Sequence, residues 1–136
     1  MNSGVYRCYH DFARTIGNGN KIFIMLCLLK KHVESSINAN VDSRFHVKYS
    51  DIVCATGVNE KTVRRNLDSL ETIGLISRET VTENGVKKVY FKINYDIIVK
   101  AKLEDDAASH LFISDHKEYL KKCPTIEKIR AGKSVE

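Results

Sequence analysis

The 136-residue chain carries 22 Lys/Arg against 17 Asp/Glu, a formal net charge of +5, with 43% hydrophobic and 29% charged residues. That length accommodates one domain with a real core, and one proline with seven glycines excludes a long disordered or low-complexity region. The basic excess lies in residues 1–100, while residues 101–136 balance at seven charges of each sign, so a polyanionic partner would meet the first part of the chain.

The N-terminus lacks a charged segment followed by an apolar one, so no secretory leader is expected and a cytoplasmic or nucleoid-associated protein is. Tyr6, Arg7, Tyr9, His10 and Arg14 read either as aromatics packing on the core or as an arm touching a nucleic acid. "TIGNGN" is a turn, and Asn20 is placed to cap a helix running from Lys21 to about Glu34. Its segment "IFIMLCLL" is far shorter than the roughly 20 residues a membrane span requires. It is a core helix, apolar on so many sides that it is a candidate dimer surface. A polar loop follows at residues 35–43, then "FHVKY" alternates as a short strand.

Ser50 is expected to cap a short helix, "DIVCAT", that Gly57 ends, and Asn59 to cap a longer one from Glu60 to about Ile73, stopped by Gly74. Val63, Leu67, Leu70 and Ile73 line one side of that longer helix, and the opposite side carries Lys61, Arg65 and Asp68, flanked by Thr62, Arg64 and Ser69. "LISRETVT" and "VKKVYFKI" are β-rich and joined through Asn84-Gly85, the strongest short signal for a type I′ hairpin. That tip pairs Glu83 with Val86, Thr80 with Val89, Arg78 with Phe91 and Ile76 with Ile93. Residues 95–103 and about 106–122 have helical character, and residues 123–136 read as a loose tail. Ala107, Ala108, Leu111, Phe112 and Leu120 form a second candidate dimer surface.

Cys8, Cys27, Cys54 and Cys123 are widely spaced, with Cys27 and Cys54 expected as buried thiols of a reducing compartment. The five histidines are scattered, and His116 and Cys123 have no further ligand at zinc-like spacing. No nucleotide loop, nucleophile elbow or metalloprotease motif is present, so neither an enzyme, a cofactor nor a metal site is expected.

"YSDIVCATGVNEKTVRRNLDSLETIGLISRETVTENGVKKVYF", residues 49–91, resembles the winged helix-turn-helix of bacterial, archaeal and phage regulators. Gly57, Val58, Asn59, Thr62, Val63, Arg65, Leu67, Leu70, Gly74, Leu75 and Ile76 match its pattern position for position. Val53 stands where the family often has a small alanine at the helix crossing. The resemblance implies an α+β, mostly α fold: a winged helix-turn-helix over residues 1–104 with its motif core at 46–93 and a first helix at 21–34. A C-terminal dimerisation helix at 105–122 and a flexible tail at 123–136 complete the expected organisation.

It also implies sequence-specific binding of double-stranded DNA by a homodimer, for transcription regulation. Arg65 suits bidentate contact with guanine, Lys61 and Arg64 suit phosphates, and Thr62 suits a phosphate or thymine methyl. Ser50, Asn59, Asn66 and Ser69 complete the expected helix-turn-helix contacts, and Lys87 and Lys88 those of the wing. The wing lysines have a second reading as protection of a hairpin edge. "FARTIGNGNKIFIMLCLLKK" and "VYFKINYDIIVK" are similar to plasmid and phage replication initiators, which leaves origin binding as an alternative. A winged-helix protein-interaction module is the other.

Overall fold

The computed structural model describes Ile16, residues 19–35 and residues 44–135. Among them the chain is α+β and mostly helical, with six helices and one three-stranded antiparallel sheet. No helix among the described residues is long and apolar enough to cross a membrane. The Tyr6–Arg14 arm lies outside the described residues.

Helix α1 spans Gly19–Ser35, so Asn20 sits inside the helix rather than capping it. Ile24, Met25, Leu28 and Leu29 are fully buried, while Phe23 on the other side is 54% exposed. The apolar run is therefore a core stripe plus one outward aromatic. Strand β1 is only Phe45–His46, shorter than the alternating pattern predicts. Helix α2, Tyr49–Thr56, begins where the strand was expected to continue. Tyr49 packs edge-on against Phe91, at 6.4 Å between ring centroids, which fixes the chain's entry into the helix. Lys48 then occupies the cap position without a side-chain cap bond, so Ser50 is a first-turn residue and not the cap. Cys54 is exposed, contrary to expectation, whereas Cys27 and Cys123 are buried.

Gly57 ends α2 at φ 72°, a left-handed conformation that glycine adopts without a Cβ clash. Helix α3 spans Glu60–Ile73, and Asn59 caps it by accepting the Thr62 N–H at 2.9 Å. The stripe predicted from its period, Val63, Leu67, Leu70 and Ile73, is wholly buried. It packs against α1 and α2, which gives the long helix its fixed orientation.

Strands β2 (Ile76–Glu83) and β3 (Val86–Ile93) form the expected hairpin. Asn84 at φ 51° and Gly85 at φ 78° are the two left-handed residues a type I′ turn requires. All four predicted cross-strand pairs are observed, Ile76 with Ile93 through Glu83 with Val86. Strand β1 adds to the other edge of β3, pairing Phe45 with Phe91 and His46 with Tyr90.

Beyond the sheet the expected divisions do not hold. Helix α4 runs unbroken from Tyr95 to Ser109, so a boundary at 104 falls inside it. Helix α5 is His116–Lys122, capped by Asp115, which accepts the Lys117 N–H. The expected loose tail is helix α6, Pro124–Ala131. Proline in a first helical turn costs no hydrogen bond, and Cys123, Ile126 and Ile129 bury one side against the rest of the molecule. Glu104 of α4 accepts both the N–H and the hydroxyl of Thr125, at 2.8 and 2.7 Å. The segment after α6 is tied too, since Val135 donates its N–H to the Ile73 carbonyl at 2.9 Å.

Candidate nucleic-acid interface

Burying one side of α3 forces its other side outward. Lys61, Arg64 and Arg65 are all exposed on it, and Thr62 and Ser69 are half-buried at its margin. Among the described residues Lys61 and Arg65 make no ion pair, so their charges remain available to an external anion. Arg64 is already engaged. It lies 3.4 Å from Glu60 and stacks its guanidinium 4.5 Å over the Tyr49 ring.

That stacking aims Arg64 into a groove of about 300 Å³ between the start of α2, the start of α3 and the hairpin. The groove is lined by residues 46–50, Glu60, Arg64, Lys87 and Val89. It brings together three cations, Lys48, Arg64 and Lys87, that are far apart in the chain. Ser50 and Lys87 are in the expected region. Lys48 and His46 are additions, and the only sequence signal for them is their place in the short alternating segment before α2. His46 is oriented by donating its Nδ1–H to the Val89 carbonyl at 3.0 Å.

Several expected contacts are placed differently. Asn66 is buried, and its amide donates back to the Thr62 carbonyl within α3 at 2.8 Å, so it is not presented outward. The reason is its position three residues after Val63 and four before Leu70, which sets it on the packed side of the helix. The Asn59 side chain is spent on the Thr62 N–H. At the start of α2 the Asp51 and Ile52 N–H groups close onto the Lys48 carbonyl, which withdraws them from any bound anion.

The two hairpin lysines also differ. Lys87 is exposed without an ion pair among the described residues, whereas Lys88 lies 3.3 Å from Glu83. Glu83 in turn accepts the Tyr90 hydroxyl at 2.9 Å. These bonds, Tyr90's first and then that of Lys88, hold the Glu83 carboxyl below its ordinary range and keep it as a counter-ion. On the same face of the hairpin Arg44 covers the Tyr90 ring at 4.5 Å and pairs with Glu79 at 2.9 Å.

Two of the acids on α3 share one partner from the hairpin. Arg78 on β2 reaches Asp68 at 2.5 Å and Glu71 at 3.1 Å, and donates to the Tyr49 hydroxyl at 3.2 Å. The exposed cations therefore cluster at the N-terminal end of α3, around a helix whose downstream acids carry their own partner. Such a surface can bind a polyanion in the groove and present Lys61 and Arg65 beside it. Among the described residues no group of three His, Cys, Asp or Glu could hold a metal ion. Compared with protein families, with curated proteins and with solved structures, this chain has no significant match.

Proposed function

We propose that the chain is a winged helix-turn-helix protein that binds double-stranded DNA sequence-specifically and regulates transcription. In this reading α2 and α3 form the helix-turn-helix, α3 enters the major groove by its N-terminal end, and the β2–β3 hairpin is the wing. The observation that carries it is the distribution of charge on α3. Lys61 and Arg65 stand unpaired among the described residues where the helix would meet the groove, while Asp68 and Glu71 are held by Arg78 where it would leave.

Arg65 reads a base edge, Lys61 and Lys87 contact phosphates, and the groove carrying Lys48 and Arg64 seats the backbone between helix and wing. The test is selection from a random duplex library, followed by titration of the selected site across a salt series. Enrichment of a defined site, with log affinity falling by about 0.9 per phosphate contact in log salt, supports the reading. Weak binding without enrichment would replace it with a protein-interaction role. A selected site confined to replication origins would assign origin binding instead.

A further inference from the structure

The Tyr49 ring is held from three sides. Phe91, fully buried, meets it edge-on at 6.4 Å between centroids. Arg78 of β2, whose side chain is mostly buried, donates to its hydroxyl at 3.2 Å. Arg64 of α3 lays its guanidinium 4.5 Å over one face. Packing and a hydrogen bond thus make the ring a fixed platform, with one face given to a cation. The other neighbour of Arg64 is Glu60, at 3.4 Å, but both side chains are more than half exposed and water screens the pair. The ring is therefore the contact that orders Arg64. An exposed arginine otherwise samples many rotamers, and freezing it on binding costs about two- to tenfold in affinity.

We propose that Tyr49 is a positioning residue for Arg64, holding its guanidinium in the groove beside Lys48 and Lys87 so that it takes a phosphate and not a base. The proposal rests on the DNA-binding reading of α3 and adds a division of labour to it. Stacking uses the flat face of the guanidinium and leaves most of its in-plane N–H donors for an anion. Arg64 and Arg65 are neighbours in the chain, yet only Arg64 is stacked, which leaves Arg65 to reach a base edge. The platform also joins the elements that supply the groove's cations, since Tyr49 is the first residue of α2 and touches β2, β3 and α3 together. A residue that meets no DNA would then decide what its arginine reads.

The test is a double-mutant cycle, read as affinity for the site that the wild type enriches from a random duplex library. Tyr49→Leu is expected to weaken binding about two- to tenfold in the wild-type background, and by less than twofold beside Arg64→Gln. Tyr49→Phe, which restores the ring, recovers most of the loss. Arg64→Gln alone weakens all sequences alike and flattens the log-log salt slope by about 0.9. Glu60→Gln strengthens binding, because it removes a carboxylate from the groove's lining. Circular dichroism establishes that each variant is folded. Should Tyr49→Leu not fold, Arg64→Lys keeps the charge without the planar stack, and is expected to lose about two- to tenfold at an unchanged salt slope. In the free protein the Arg64 Cδ protons should be shifted upfield by the ring in the wild type and Tyr49→Phe.

A Tyr49→Leu loss of the same size with and without Arg64 overturns the proposal, because Tyr49 then acts only through the fold. An equal loss in Tyr49→Phe does so too, and assigns the effect to the Arg78 hydrogen bond. So do a weakened Glu60→Gln, an Arg64→Lys as tight as the wild type, an Arg64→Gln with altered base preference, and a wild type without the upfield shift. A wild type that enriches no site, with the shift present, is instead a failure of the DNA-binding reading, and it takes this assignment with it.

Discussion

The guanidinium of Arg78 lies 2.5 Å from the Asp68 carboxylate, joining the first hairpin strand to the second half of α3. Arg78 is largely buried, and burial alone would weaken its charge. Its hydrogen bonds to Glu71, Asp68 and Tyr49 outweigh that and hold the group protonated across the accessible pH range. One side chain thereby fixes the hairpin relative to both helices of the candidate interface. Its single positive charge also offsets one of the two carboxylate charges that would otherwise repel a polyanion.

Replacing Arg78 with Met is expected to lower unfolding free energy by about 1–2 kcal/mol. The estimate is kept low because Asp68 is 69% exposed and Glu71 41%, so water screens both pairs. Urea denaturation measures the effect, and an unchanged midpoint would mean that screening is complete. The same variant should bind DNA more weakly, since two uncompensated carboxylates then border the binding face.

Arg65→Ala is expected to cost about 1–3 kcal/mol of specific affinity and to relax preference at one base pair. Equal weakening on every sequence would make Arg65 a phosphate contact. Asn66→Ala should behave oppositely. Its amide is bonded inside α3, so stability falls by about 1 kcal/mol while the folded protein keeps its affinity.

The two hairpin lysines separate by salt dependence. Lys87→Gln should flatten the log-log slope by about 0.9, the contribution of one released phosphate contact. Lys88→Gln should change it less, because Lys88 already has Glu83 as a partner. Equal slopes for the two variants would contradict the assigned difference.

His32 supplies a pH dependence. It is 1% exposed, stacked on Phe45 at 5.0 Å between ring centroids and 2.6 Å from the Tyr95 hydroxyl. Burial pushes its imidazole below the ordinary value of 6.5. The unfolded chain therefore takes up the proton first as pH falls, and stability, full above 6.5, declines below it. The slope from this group is at most about 1.4 kcal/mol per pH unit, that of one proton. Urea midpoints between pH 7.5 and 5.5 should fall in the wild type and flatten in His32→Gln.

The docked C-terminal helix makes a further prediction. Ile129 is fully buried, so Ile129→Ala should destabilise the whole domain by about 2–4 kcal/mol. A tail that contributes nothing to the core would leave the midpoint unmoved.

The hairpin was legible to the residue because two local rules agree. Asn84-Gly85 accepts positive φ at both positions, and strand alternation then leaves one register that buries Ile76, Phe91 and Ile93 together. The axis and buried side of α3 were legible for the same kind of reason, a period of 3.6 between a side-chain cap and a glycine stop. Less legible were features that depend on a distant partner. The start of α2 is set by Tyr49 meeting Phe91, not by the serine with the better capping chemistry. Asn66 looks like an outward contact by residue type, yet it lies on the margin that packing closes.

Local chemistry by itself thus determined the order of helices and strands from Tyr49 to Ile93, the Asn59 cap and the Gly57 and Gly74 stops, the hairpin register and the placing of Lys61, Arg64 and Arg65 opposite a buried stripe. Each follows from backbone preference or side-chain period within about twenty residues of chain. The tertiary structure decided what long-range contact controls: the grouping of Lys48, Arg64 and Lys87 around one groove, the pairing of Asp68 and Glu71 with Arg78, and the docking of residues 124–131 as a helix. Those outcomes depend on which surfaces meet once the apolar stripes are buried, and no local pattern encodes that meeting.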